Sequence, residues 1–137
     1  MTSVKETSSD SSLLKQGFAV LCFACAGLLA GCAPSPKSSI DNFIGSVEKG
    51  NLTEAQSYIS SSIKGMLGES KLKQALAEKS EEMAQCGGVK SIDVDLKGEG
   101  EYRTGTYTVH YKGDCAPEDN EVKLVKEDGK WKLGVNK

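Results

Sequence analysis

The apolar residues of this chain change their spacing once, at Gly87-Gly88, and that change limits the fold more than any other feature. Before it they recur at helical period. Ile40, Phe43, Ile44 and Val47 follow i, i+3, i+4, i+7, with Ser38 as N-cap candidate, Asp41 three residues on and Lys49-Gly50 as the stop. Asn51 caps a second, shorter helix whose Leu52, Ala55 and Ile59 share a face. Ser60-Ser61-Ser62 and the glycines at 65 and 68 interrupt the pattern, with Ile63, Met66 and Leu67 expected to be buried there. Ser70 then caps a longer helix carrying Leu72, Ala75, Leu76, Met83 and Cys86 on one side, which Gly87-Gly88 ends.

After Gly88 the period is two. Ile92, Val94 and Leu96 alternate with Asp93, Asp95 and Lys97; Tyr107, Val109 and Tyr111 alternate with Thr106, Thr108 and His110. Val122 and Leu124 flank Lys123, and Trp131, Leu133 and Val135 alternate with Lys130, Lys132 and Asn136. Gly98-Glu99-Gly100 and Asp128-Gly129 mark turns, the second a tight hairpin; Asp114 to Asn120 makes a longer connection. Each strand has one apolar face to cover, and the helices hold the apolar surface that can cover it. The expected fold is α+β, three N-terminal helices packed on a four-stranded antiparallel sheet.

The N-terminal segment follows different rules. Gly17 to Ala30 is uncharged over 14 residues, against about 20 needed to span a bilayer. With Lys5 and Lys15 before it and small residues after it, it fits the apolar region of a secretory signal. Its end, Leu29-Ala30-Gly31-Cys32, resembles the bacterial lipobox. That resemblance implies cleavage between Gly31 and Cys32, a diacylglycerol thioether on Cys32 and acylation of the new amino terminus. Two or three acyl chains anchor stably where one binds only marginally. Residues 1–31 are therefore expected to be a lipoprotein signal peptide, 32–37 the lipidated Cys and its Pro-rich tether, and 38–137 the folded domain. The protein is expected at the cell membrane or outer membrane, its domain facing the periplasm or exterior; Ala33 rather than Asp after the Cys favours, by resemblance, the outer membrane of a Gram-negative host.

The cysteines divide accordingly. Cys22 and Cys25 lie within the apolar run, without the strand–turn–helix setting of a redox motif. Cys86 and Cys115 remain in the exported domain, and an even pair outside the cytoplasm reads as a disulfide. Closing that loop stabilises by roughly 3–4 kcal/mol in the chain-entropy model.

Little in the sequence points to catalysis. With 17 Lys+Arg against 19 Asp+Glu, the net charge of −2 gives no footprint for nucleic acid. There is no Gly-rich phosphate loop, and one His with one Cys pair makes a metal centre improbable, so no cofactor or metal is expected. Asp93 and Asp95 share a strand face, where paired carboxylates can divide acid and base roles. His110 is the single imidazole and could serve as general base with either. Strand parity puts all three on the polar face, so solvation is the expected outcome. Asp114, Glu118, Asp119 and Glu121 lack the glycine and closing glutamate of a calcium loop, and read as a solvated acidic loop.

The order of these parts carries a further likeness. A lipobox, the Ile40–Val47 helix, Glu48-Lys49-Gly50-Asn51, a helix ending at Gly87-Gly88 before Ile92-Asp93-Val94, and a terminal Lys126-Glu127-Asp128-Gly129-Lys130-Trp131-Lys132 hairpin stand in sequence. Together they resemble the small bacterial lipoproteins with a nuclear-transport-factor-2-like (cystatin-like) domain, over nearly all of residues 36–136. The resemblance implies a curved sheet wrapped round a helix as a cone with a pocket. Trp131 shares parity with Leu133 and Val135, so the core is its expected place; where a pocket forms, Phe43, Tyr58, Met83, Tyr107 and Trp131 are its expected lining. Some members of that superfamily are isomerases or dehydratases and many are binding or accessory domains, so fold does not choose. The leading expectation is a membrane-anchored, non-enzymatic protein that binds a small molecule or a partner protein. The alternative is an isomerase or dehydratase using His110 with Asp93 or Asp95.

Overall fold

The computed structural model describes residues 34–135. The signal-like segment, Gly31 and Cys32 lie outside them. The helices are α1 (Pro36–Glu48), α2 (Leu52–Ser57), α3 (Ser61–Leu67) and α4 (Glu69–Gln85); the strands are β1 (Val89–Lys97), β2 (Tyr102–Tyr111), β3 (Glu118–Glu127) and β4 (Lys130–Gly134). The class is α+β as the periodicity requires, with one helix more than expected.

That extra helix is the stretch whose serines and glycines hide its periodicity. Buried Ser60 caps α3 by accepting the Ile63 N–H at 3.4 Å, and Gly68, at φ 77°, ends it. The expected burial of Met66 and Leu67 is wrong: they are 71% and 47% exposed, because α3 is two turns long and turns only Ile63 towards the core. Two helix starts also move. The cap of α1 is Ser35, whose Oγ accepts the Ser38 N–H at 3.2 Å, so α1 begins inside the stretch read as tether. Pro36 permits this, since the first helical position needs no N–H and suits a fixed φ. The start of α4 follows Gly68 rather than Ser70, and its buried stripe of Leu72, Leu76 and Met83 leaves Ala75 exposed.

Gly87 and Gly88, at φ 82° and 87°, turn the chain from α4 into the sheet. The Gly88 N–H reaches back to the Met83 carbonyl at 2.9 Å, the six-to-one bond of a glycine helix stop. The sheet is an antiparallel meander in the order β1-β2-β3-β4. Its register sets Ile92 against Val109, Val94 against Tyr107, Gly105 against Val122 and Leu124 against Leu133. These residues share the face that packs on Ile40, Ile44, Val47, Leu72, Leu76 and Met83. Gly105 is required where β1 crosses it: a Cβ there would lie 1.9 Å from the Asp95 carbonyl oxygen. Asp128 and Gly129, both at positive φ, make the tight β3–β4 turn. The free edge of β4 is covered by the α2–α3 connection, where the Ser60 N–H donates to the Leu133 carbonyl and the Leu133 N–H to that of Tyr58.

Candidate functional site

The two ends of the sheet are built differently. At the end formed by the start of β1, the end of β2 and the start of β3, the layers are fastened together. Cys86, just after α4, forms a disulfide with Cys115 in the β2–β3 connection, with Cα atoms 5.4 Å apart. Gly113 packs so tightly that a Cβ there would meet the Cys86 carbonyl oxygen at 2.7 Å. Glu118, opposite Val109 in the register, points to the helix-covered side and pairs with Lys79 of α4. The Tyr111 hydroxyl donates to Glu118 Oε2 at 2.9 Å and Asn120 Nδ2 donates to its Oε1 at 3.3 Å. The Lys79 ammonium also holds Glu82 Oε2 at 3.0 Å.

The proton affinities follow from this cluster. Burial opposes the Glu118 charge, but donation from Lys79, Tyr111 and Asn120 outweighs it and holds the carboxyl below its ordinary range. Burial likewise opposes the Lys79 charge, and its bonds to Glu118 and Glu82 overcome that and raise its pKa. Burial, reinforced by the Glu118 charge, raises both Tyr107 and Tyr111. The reading of Asp114, Glu118, Asp119 and Glu121 as a solvated loop is thus corrected for three of the four. Glu118, Asp119 and Glu121 lie in β3; Glu118 turns inward, while Asp119 accepts the Thr108 hydroxyl at 2.6 Å. Among the described residues no group of three or more His, Cys, Asp or Glu is placed to hold a metal ion.

The outer face of the sheet holds His110 and Asp93. Their side chains meet, Nε2 to Oδ2, at 2.8 Å, but with 34% and 77% of their surface exposed. Asp95 lies one period further along β1 on the same face, opposite Thr106. A carboxylate beside an imidazole is an acid–base pair in form. Neither residue lines either of the two cavities described next.

The opposite end of the sheet is open. A groove of about 330 Å³ is lined by Ser60, Ser62, Glu101, Tyr102, Lys123, Val125, Lys126, Glu127, Gly134 and Val135. Tyr102 is 58% exposed, and Lys123 Nζ sits 5.4 Å from its ring centre. Glu127 is fixed to the first turn of α3 by the Ser61 N–H and hydroxyl, at 3.2 and 3.1 Å. A smaller cleft of about 150 Å³ lies between the start of α1 and β4, lined by Pro34, Ser39, Ser57, Tyr58, Lys130, Trp131 and Lys132. Arg103 and Lys126 stack on the Trp131 ring, 4.9 and 5.8 Å from its centre. This end therefore combines aromatic rings with amines and carboxylates, a surface suited to recognising a ligand with charges of both signs.

The sequence profile of a family described as "Domain of unknown function (DUF4878)" matches residues 30–134. The chain belongs to that family. No curated protein matches it. Among solved structures, a Campylobacter jejuni protein provisionally named an NTF2-like transpeptidase superposes with a TM-score of 0.65 at 23% identity. The match covers 75% of this chain and 100% of that one. It establishes the nuclear-transport-factor-2-like fold for this member of the family.

The residues expected to line one pocket are divided by the structure. Tyr58 and Trp131 line the smaller cleft. Met83 is fully buried in the core, with Phe43 and Tyr107 partly buried against it. They fill the interior between the helices and the inner face of the sheet. The groove residues Glu101, Lys123, Lys126 and Glu127 went unrecognised in the sequence. Glu101, Lys126 and Glu127 are ordinary polar residues at strand ends and Lys123 one in the middle of β3, and only the sheet pairing gathers them.

Proposed function

We propose that this chain is a lipid-anchored protein of the bacterial envelope whose domain binds, without catalysis, a small molecule or a segment of a partner protein. The observation that carries the binding reading is the open groove at the Tyr102 end of the sheet, with Lys123, Lys126, Glu101 and Glu127 round an exposed ring. The anchor is supported by Leu29-Ala30-Gly31-Cys32 and by the compact unit that begins at Pro34, two residues later. The fold neighbour's name refers to transpeptidation, which makes a peptide a reasonable occupant. Yet both described cysteines are spent in a disulfide, which leaves no thiol nucleophile among the described residues.

The test is a photoreactive phenylalanine at position 102 in intact cells, with the same probe at Thr106 as control. A discrete adduct from 102 and none from 106 is the expected result; equal labelling from both contradicts a site in the groove. For the anchor, Cys32→Ser is expected to abolish incorporation of labelled fatty acid, and retained label contradicts the lipobox reading. The 2.8 Å contact between His110 and Asp93 favours one second reading, an isomerase or dehydratase on the outer face. Its signature is a captured small molecule that the wild type converts and His110→Asn does not.

A further inference from the structure

The 150 Å³ cleft stands apart from the groove and has an unusual position in the chain. Pro34 forms part of its wall and lies two residues from Cys32. Two extended residues reach at most about 7 Å. If Cys32 carries lipid, as the proposed function holds, this cleft is the part of the domain that the anchor keeps at the membrane surface. Its composition suits that place. Lys130 is exposed and Lys132 half-exposed; the Lys132 amine donates to the Ser57 carbonyl and has two further N–H groups to offer. Ser39, Ser57 and Tyr58 add hydroxyls, and Trp131 an indole. Amines settle on the phosphates at the headgroup level of a bilayer, and a half-buried Tyr beside them suits that level. Trp131, only 7% exposed, is the cleft's inner wall and not a ring that enters the membrane. Acidic residues stand nearby in the β3–β4 turn. Glu127, opposite Lys130 in the register, is taken up by Ser61, and Asp128 is exposed at the tip of the turn.

We propose that this cleft, resting on the lipid-anchor reading, binds the phosphate of an anionic membrane lipid and so fixes the orientation of the domain on the bilayer. The groove at Tyr102 and Lys123 is thereby left free for its ligand.

Trp131 is the single tryptophan of the sequence and reports on the cleft directly. The full lipidated chain is reconstituted into vesicles of phosphatidylcholine alone, or with phosphatidylglycerol added, each containing a lipid with a headgroup spin label. Flotation and intact mass report the anchor; quenching of Trp131 reports the cleft. Because the anchor holds the protein on both vesicle types, a difference between them belongs to the cleft. Stronger quenching with phosphatidylglycerol is expected, and Lys130→Gln with Lys132→Gln should remove it. Each lysine should change the bound fraction's equilibrium about fivefold. Gln at 132 keeps a donor for Ser57, and circular dichroism confirms the fold of the double variant. Lys112→Gln, at the disulfide end, should change nothing. Equal quenching on both vesicles, or quenching indifferent to the double variant, overturns the proposal while leaving the anchor intact. A chain that floats with neither vesicle and lacks the added mass overturns the anchor and the proposal with it.

Discussion

One end of the sheet is held by a covalent bond, a half-buried ion pair and glycines in backbone contact; the other has two cavities and rings stacked with cations. The difference separates what keeps the layers together from what is free to meet a ligand. A small domain has a modest core, and here Cys86–Cys115 and Lys79–Glu118 reinforce the end where α4 meets β2 and β3. Tyr102, Lys123 and Lys126 can then remain at the surface without the fold depending on them.

This contrast is open to challenge by substitution. The largest effect is expected at the fastened end: Cys86→Ser with Cys115→Ser should lower unfolding free energy by about 3–4 kcal/mol, measured by urea titration. An unchanged midpoint would show that the ends are equally secure. Glu118→Gln is expected to cost roughly 1 kcal/mol, through loss of the charge that Lys79 and Tyr111 hold. Its pH dependence sharpens the case. The Glu118 pKa is depressed by folding, so its contribution is complete above the ordinary carboxylate range and is lost as pH falls through and below it. Lys79 is raised, so its share persists to high pH and fades only as pH climbs past the ordinary lysine range. The stability gap between wild type and Glu118→Gln should therefore be full near neutrality and close in acid. The smallest effect is expected at the open end, where Arg103→Ala should cost about 0.5–1 kcal/mol, the worth of its stacking on Trp131. A larger loss there than at Glu118 would reverse the contrast.

The architecture was legible because it depends on periodicity. Alternation from Ile92 to Leu133 sets the inner face of the sheet, and Asp128-Gly129 sets its last turn. Helix α3 was not, since Ser61, Ser62 and Gly65 mask a short amphipathic pattern whose apolar side is largely exposed. Glu118 was misread for a related reason. Its acidic neighbours Asp119 and Glu121 suggest a solvated run, and the inward turn of every second residue appears only once β3 is known to begin at Glu118. His110 and Asp93 were placed on the outer face by parity, and their contact follows from pairing of β1 with β2. The groove depends on contacts between residues that are distant in sequence, such as Ser61 with Glu127, and no local pattern encodes those.

The central claim is that the open end binds and the outer His–Asp pair does not take part. Its most direct measurement is the yield of the position-102 cross-link in chains carrying Lys123→Glu or His110→Asn. The account predicts that Lys123→Glu abolishes the adduct and that His110→Asn leaves it at the wild-type level. Loss of the adduct in His110→Asn, with retention in Lys123→Glu, would contradict it.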